Sequence, residues 1–107
     1  MIYYPKSYNE FISILQANQN TLILTVFYMD GCGVCKEMDY YLATLDQRLP
    51  IIKLDVNIFT QLANDNEINK VPTSVFIRVK EDKIVWNSQQ FIGLDEKGIG
   101  GIIAQMH

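Results

Sequence analysis

Both cysteines of this chain stand in one hexapeptide, Gly31-Cys32-Gly33-Val34-Cys35-Lys36, with two residues between them. The chemistry that spacing suggests is thiol–disulfide exchange, since a thiolate attacks sulfur and a second thiol within reach can close a ring with the first. Residues three apart at the start of a helix are neighbours, so the two sulfurs can meet. A helix start also carries unpaired N–H groups and a partial positive charge, which favour a thiolate over a thiol. Lys36 adds a cation next door. Lowering the pKa of Cys32 toward ambient pH makes it the better attacker. A disulfide closing so short a loop gains only about 2 kcal/mol of chain entropy on a four-residue count. Such a bond suits cycling better than stapling.

Two other uses of the pair stay open on the residues alone. A Cys-x-x-Cys can be half of a zinc site, but the chain has no third cysteine and a single histidine, the terminal His107, so no metal is expected. The cysteines could also be buried and inert, although glycines on both sides of Cys32 suit an exposed turn better than a core.

The flanking sequence predicts how the pair is held. Leu22–Tyr28 is an apolar, β-branched and aromatic run that reads as a buried strand within 21–28. After it, Cys35, Met38, Leu42, Leu45 and Leu49 recur at spacings of three and four, one face of a helix that Pro50 should stop. Met29-Asp30-Gly31 is the turn between them. Upstream, Ile2–Tyr4 is a short strand ended by Pro5. Ser7 with Glu10 forms a capping box for a helix reaching about Gln19, with Tyr8, Phe11, Ile12 and Leu15 on its inner face. Downstream, Ile51–Val56 reads as a strand parallel to the first apolar one, and 60–66 as a short helix. Val71-Pro72-Thr73 leads into a hairpin over 74–86 that turns at Glu81-Asp82-Lys83. Phe91-Ile92-Gly93 is a bulge or strand end. Asp95 caps a last helix with Ile99, Ile102, Ile103 and Met106 inward. Gly98, Gly100 and Gly101 weaken that helix, so its start is expected to be irregular.

At 107 residues the chain is a single domain, 1–107, with ordinary globular composition: 49% hydrophobic and 20% charged residues. Its formal net charge of −3 and the lack of any Lys/Arg cluster argue against nucleic acid as a partner. No apolar run approaches the ~20 residues of a membrane span, and residues 1–6 lack the layout of a secretory signal. Read as a whole chain, it is expected in the cytoplasm, as a monomer, where a cysteine pair is catalytic more often than structural.

In this element order the chain resembles the thioredoxin family over nearly its whole length. The resemblance rests on three features together: Cys32-Gly33-Val34-Cys35 between strand and helix, Val71-Pro72-Thr73 before the hairpin, and Phe91-Ile92-Gly93 before the last helix. It implies an α/β fold with a central mixed sheet of four or five strands flanked by helices. It also implies a cis Val71–Pro72 bond packed against the sulfurs, where local sequence alone favours trans. The backbone of Val71 would then face outward to pair with an extended substrate. Gly31, Gly33, Val34, Lys36, Val71, Pro72, Thr73 and Gly93 would shape the site around the catalytic Cys32 and Cys35. The implied partners are disulfide-containing proteins and a thioredoxin-reductase-like electron donor, with no cofactor beyond the cysteine pair.

The chain departs from the family pattern at four places. Gly31 and Val34 stand where tryptophan and proline are typical, and both positions bear on the balance between reductase and oxidase. Val26 stands where the family usually carries a buried aspartate, thought to take the proton of the buried cysteine. Asp30, a candidate cap of the turn, and Asp55, at a strand end, are weak candidates for that relay. Lys70 stands where glycine is frequent. Of the aromatics, Tyr28 is placed nearest the cysteines, whereas Tyr40, Tyr41, Phe59, Trp86 and Phe91 are explained by packing. The functions to be separated are a protein-disulfide reductase, an oxidant or isomerase on the same fold, and a binding subunit that kept the fold without needing redox activity.

Overall fold

A computed structural model describes residues 1–45 and 47–105. The elements are β1 (Ile2–Tyr3), α1 (Tyr8–Gln16), β2 (Ile23–Tyr28), α2 (Gly33–Leu42), β3 (Ile51–Asp55), α3 (Thr60–Asp65), β4 (Thr73–Lys80), β5 (Lys83–Ile92) and α4 (Glu96–Ala104). They form one five-stranded mixed sheet in the order β1-β3-β2-β4-β5. β1, β3 and β2 run parallel, and β4 and β5 are antiparallel additions.

Alternation along the strands divides the core into two layers. Ile23, Phe27, Ile52, Leu54 and Ile77 face Phe11 and Leu15 of α1 and Phe59 and Ala63 at α3. Leu24, Val26, Ile51, Phe76 and Phe91 face Met38 and Leu42 of α2 and Ile99 of α4. So α1 and α3 cover one face of the sheet, and α2 and α4 the other. No helix among the described residues is long and apolar enough to cross a membrane.

The structure corrects several boundaries. β1 stops at Tyr3 and α1 at Gln16, before the polar 17–20 turn. Ser7 caps α1 by accepting from the Glu10 N–H at 3.2 Å, but the Glu10 carboxylate takes the N–H of Lys6 rather than that of Ser7, so the box is shifted by one residue. α2 ends at Leu42, not near Leu49. The chain then turns, with the Thr44 hydroxyl donating to the Tyr41 carbonyl at 2.6 Å, and Leu49 still reaches the core from the irregular segment.

The hairpin turn is only Glu81-Asp82, both at positive φ as a two-residue turn matched to strand twist requires. Lys83 already pairs with Lys80. β5 continues to Ile92, well past Trp86, through an irregularity opposite Val75–Ile77. α4 is regular from its start, contrary to expectation. Asp95 caps it, and Gly98 lets it lie close: a Cβ there would stand 2.7 Å from the Phe91 ring. Met106, expected on the helix face, and His107, the single histidine, lie outside the described residues.

Candidate active site

The topology gathers the site at one end of the sheet. β2, β3 and β5 end there and β4 begins there, since Phe27 is registered with Thr73 and Thr73 with Ile92. Ligand sites of such sheets sit at the carboxyl ends of the parallel strands. Here that end carries 29–35, 56–58, 71–73 and Gly93.

Gly31 makes the corner from β2 into α2 at φ +81°, a conformation that costs glycine little. Cys32 is the N-cap of α2. Its Sγ accepts the Cys35 N–H at 3.2 Å, and its carbonyl accepts the Lys36 N–H at 3.3 Å. The two sulfurs are joined as a disulfide, with Cα atoms 5.2 Å apart. The pair is asymmetric. Cys32 is half-buried at the rim, whereas Cys35 is only 4% exposed. Gly33 opens the helix, Val34 is 44% exposed beside the disulfide, and the Lys36 side chain is exposed.

Val71–Pro72 is a cis peptide bond. The Val71 carbonyl oxygen lies 3.9 Å from Cys32 Sγ. Thr73 is buried and ties the loop by donating its hydroxyl to the Lys70 carbonyl at 2.7 Å. Gly93, also at positive φ, donates its N–H to the Pro72 carbonyl at 2.8 Å. Cys32, Val71 and Gly93, distant in sequence, thus meet at this end of the sheet around the buried Pro72. Beside it lies a cleft of about 220 Å³ lined by Met29, Val56 and Val71, with Asn64, Asn69 and Lys70 among its polar residues.

The secondary candidates separate clearly. Val26 is buried at 1% in the α2-facing layer. Asp55 accepts the Asn57 N–H at 2.8 Å, so it shapes the β3–α3 loop. Phe59 and Phe91 are core, Trp86 stacks on Phe27, and Tyr40 is 80% exposed on the outside of α2. Tyr28 does lie near the site, and its hydroxyl is raised above its ordinary value by burial and then by Asp55, Asp30, Tyr4 and Asp39.

The group that sequence reasoning passed over is Lys53, buried at 2% in the middle of β3 and paired with Asp39 of α2. The signal was there: one lysine at an inward position of an otherwise apolar strand. Among the described residues no cluster of His, Cys, Asp or Glu could hold a metal ion.

The comparisons with known proteins agree with this geometry. The thioredoxin family model matches residues 3–98. The chain belongs to the thioredoxin family. It is 27% identical over 105 residues to Thioredoxin-1 of Drosophila melanogaster, covering 94% of each chain. It is 32% identical over 83 residues to Thioredoxin Y2, chloroplastic, of Arabidopsis thaliana, covering 74% of this chain and 48% of that protein. The solved structure of the germline-specific Drosophila thioredoxin Deadhead superposes with a TM-score of 0.81 at 26% identity, over 95% of this chain and 96% of that one. For this thioredoxin-family protein, membership and the joined Cys32–Cys35 pair together support thiol–disulfide oxidoreductase chemistry on disulfide-containing substrates, with a reductase to reset it.

Proposed function

We propose that this protein is a protein-disulfide reductase. The observation that carries the reading is the asymmetry of the pair. Cys32 sits at the rim, on a helix N-terminus whose N–H groups favour its thiolate, and Cys35 is packed beneath it within bonding distance. In the first step the Cys32 thiolate attacks a substrate disulfide and forms a mixed disulfide, releasing one substrate sulfur. In the second, Cys35 attacks Cys32, the Cys32–substrate bond breaks, and the reduced substrate departs. The backbone at Val71 pairs with the substrate's extended chain, while Pro72, Thr73 and Gly93 hold that backbone beside the sulfur. Gly31, Gly33 and Val34 shape the rim, and Lys36 adds positive charge near the nucleophile. Met29 and Val56 line the cleft that takes a neighbouring substrate side chain, with Lys70 at its polar margin.

We further place the protein as a cytoplasmic monomer needing no cofactor beyond its cysteine pair. It would be reset by a thioredoxin-reductase-like donor and have no nucleic-acid or membrane partner. The net charge of −3 supports the part of this concerning nucleic acid.

The deciding experiment equilibrates the protein against thiol/disulfide buffers and traps free thiols. A single two-electron transition in the range of cytosolic reductants is expected. A clearly more oxidising potential would reassign the protein as an oxidant or isomerase, with Gly31 and Val34 as the retuning residues. Absence of any reversible transition would leave a binding subunit of thioredoxin fold.

A further inference from the structure

Proton flow is the part of the exchange that two cysteines cannot manage alone. Before Cys35 can attack the mixed disulfide it must lose a proton, and it must do so at a site only 4% exposed, where burial favours the neutral thiol. The same layer of the molecule contains a charged pair that the exchange of sulfur bonds does not use. Lys53 is registered beside Val26 in the centre of the sheet, facing α2, with 2% of its side chain exposed. A lysine so placed requires a partner. Its ammonium donates to Asp39 Oδ1 and lies 4.3 Å from the centre of the Tyr28 ring and 5.7 Å from that of Tyr4.

Asp39 stands four residues after Cys35 on α2. Side chains at that spacing adjoin along a helix, with Cβ atoms about 5–6 Å apart. Cys35 is buried, and Asp39 is reached by Lys53 from the sheet that α2 covers, so at this spacing the two adjoin along α2. Yet the Asp39 side chain is 47% exposed. The arrangement runs from a buried thiol, through a carboxylate anchored by a buried cation, to water.

The other charged or titratable groups around this cluster serve the purpose less well. Tyr28 of β2 and Tyr4 after β1 both hold their protons above the ordinary range, Tyr28 through burial and then Asp55, Asp30, Tyr4 and Asp39, and Tyr4 through burial and then Asp39. Neither is a base at neutral pH. Asp55, at the end of β3, is engaged by the Asn57 N–H. Asp30 is exposed in the turn before Cys32, and Lys36 and Glu37 of α2 are exposed.

We propose that Asp39 is the proton acceptor for Cys35 during resolution and that Lys53 is the positioning residue that aims it, an inference resting on the disulfide-reduction reading above. The Cys35 S–H proton passes to the Asp39 carboxylate directly or through one water. The thiolate electron pair forms the Cys32–Cys35 bond, and the Cys32–substrate bond breaks with its electron pair leaving on the substrate sulfur. That sulfur takes up a proton from Asp39 or from water. The substrate disulfide has then gained two electrons and two protons, and the cysteine pair has lost them.

The test uses the reduced full chain with excess 5,5′-dithiobis(2-nitrobenzoate), followed by stopped-flow absorbance across pH. Attack by Cys32 releases the first coloured thiolate at a rate proportional to reagent. Resolution by Cys35 releases the second at a rate independent of it. Asp39→Asn and Asp39→Ser are expected to slow the second phase by about 10²-fold at neutral pH. They should also move its pH midpoint upward and leave the first phase unchanged. Asp39→Glu should recover most of the rate, and added acetate should speed the second phase of Asp39→Ser. Lys53→Met should slow the same phase. Thermal unfolding of each variant is recorded alongside. A second phase with unaltered rate and pH profile in folded Asp39 variants, with only stability lost, would overturn the inference and leave a structural ion pair. A wild-type chain lacking either phase would instead overturn disulfide exchange itself.

Discussion

α2 and α4 begin alike. In each, the residue before the helix turns its side chain back to accept the N–H three positions on: Cys32 Sγ from Cys35 at 3.2 Å, and Asp95 Oδ1 from Gly98 at 2.8 Å. At α4 those donors meet a carboxylate that fastens the helix to its entry loop. At α2 they meet sulfur, a weak acceptor in the disulfide and a strong one as thiolate, so the helix end favours the reduced, nucleophilic state. The first turns differ in the same sense. α4 carries Glu96 in its first turn and α1 carries Glu10, but the first turn of α2 has no acidic residue to compete with a thiolate. One backbone device thus serves anchorage at one end of the molecule and reactivity at the other.

Exchanging the atoms at the two caps should separate these roles. The largest effect is expected from Cys32→Ser, which keeps a good capping side chain but removes the nucleophile. Disulfide reduction measured with a protein substrate should vanish while the urea midpoint stays close to that of the reduced wild type. Loss of folding instead would mean that the sulfur is a structural cap. Asp95→Ala should do the converse. It should cost about 1 kcal/mol in urea unfolding and leave the exchange rate intact.

The smallest effect concerns the tyrosines near the two helix starts. The Tyr41 hydroxyl donates to the Glu96 carbonyl at 3.3 Å, and its pKa is raised by burial and then by Glu96 and Asp95. That of Tyr28 is raised by burial and then by Asp55, Asp30, Tyr4 and Asp39. A folded-state pKa above the unfolded value contributes stability that is complete below the unfolded value, about 10, and is lost as pH rises through the folded one. Stability should therefore decline modestly from about pH 10 upward, as followed by circular dichroism in alkaline urea titrations. Tyr41→Phe should flatten the decline, and an unchanged decline in that variant would remove Tyr41 from the account.

Much of this was legible in the sequence where local pattern and tertiary role coincide. Cys35, Met38 and Leu42 gave both the helix and its buried face, and Asp95 gave a cap. The pattern misled where apolar spacing outlived the helix. Leu45 and Leu49 continue the period of α2, but the chain has already turned, and Leu49 reaches the core from irregular backbone. The strand pattern stops at Trp86, short of the end of β5, because Asn87-Ser88-Gln89-Gln90 offers no apolar alternation. On an edge strand with one side in water, polar residues cost little. By local propensity Gly98 weakens the helix, whereas its value lies in the Phe91 ring it lets approach. The Lys53–Asp39 pair was hidden for a similar reason. Fourteen positions separate the two, and only the packing of α2 across β3 brings them together.

The two-residue tip of the β4–β5 hairpin also bears on how this protein can be handled. β4 starts at Thr73 beside the disulfide and ends at Lys80, about 24 Å away at the usual rise of an extended strand. Glu81 and Asp82 beyond it are exposed, and of the side-chain bonds described there Asp82 accepts one, from Gln19 at 3.0 Å. Because both residues already have positive φ, glycine fits either position. A tether, fluorophore or grafted peptide attached at the tip would orient the protein with its sulfur-bearing end free, making the hairpin a natural handle for immobilised or single-molecule assays.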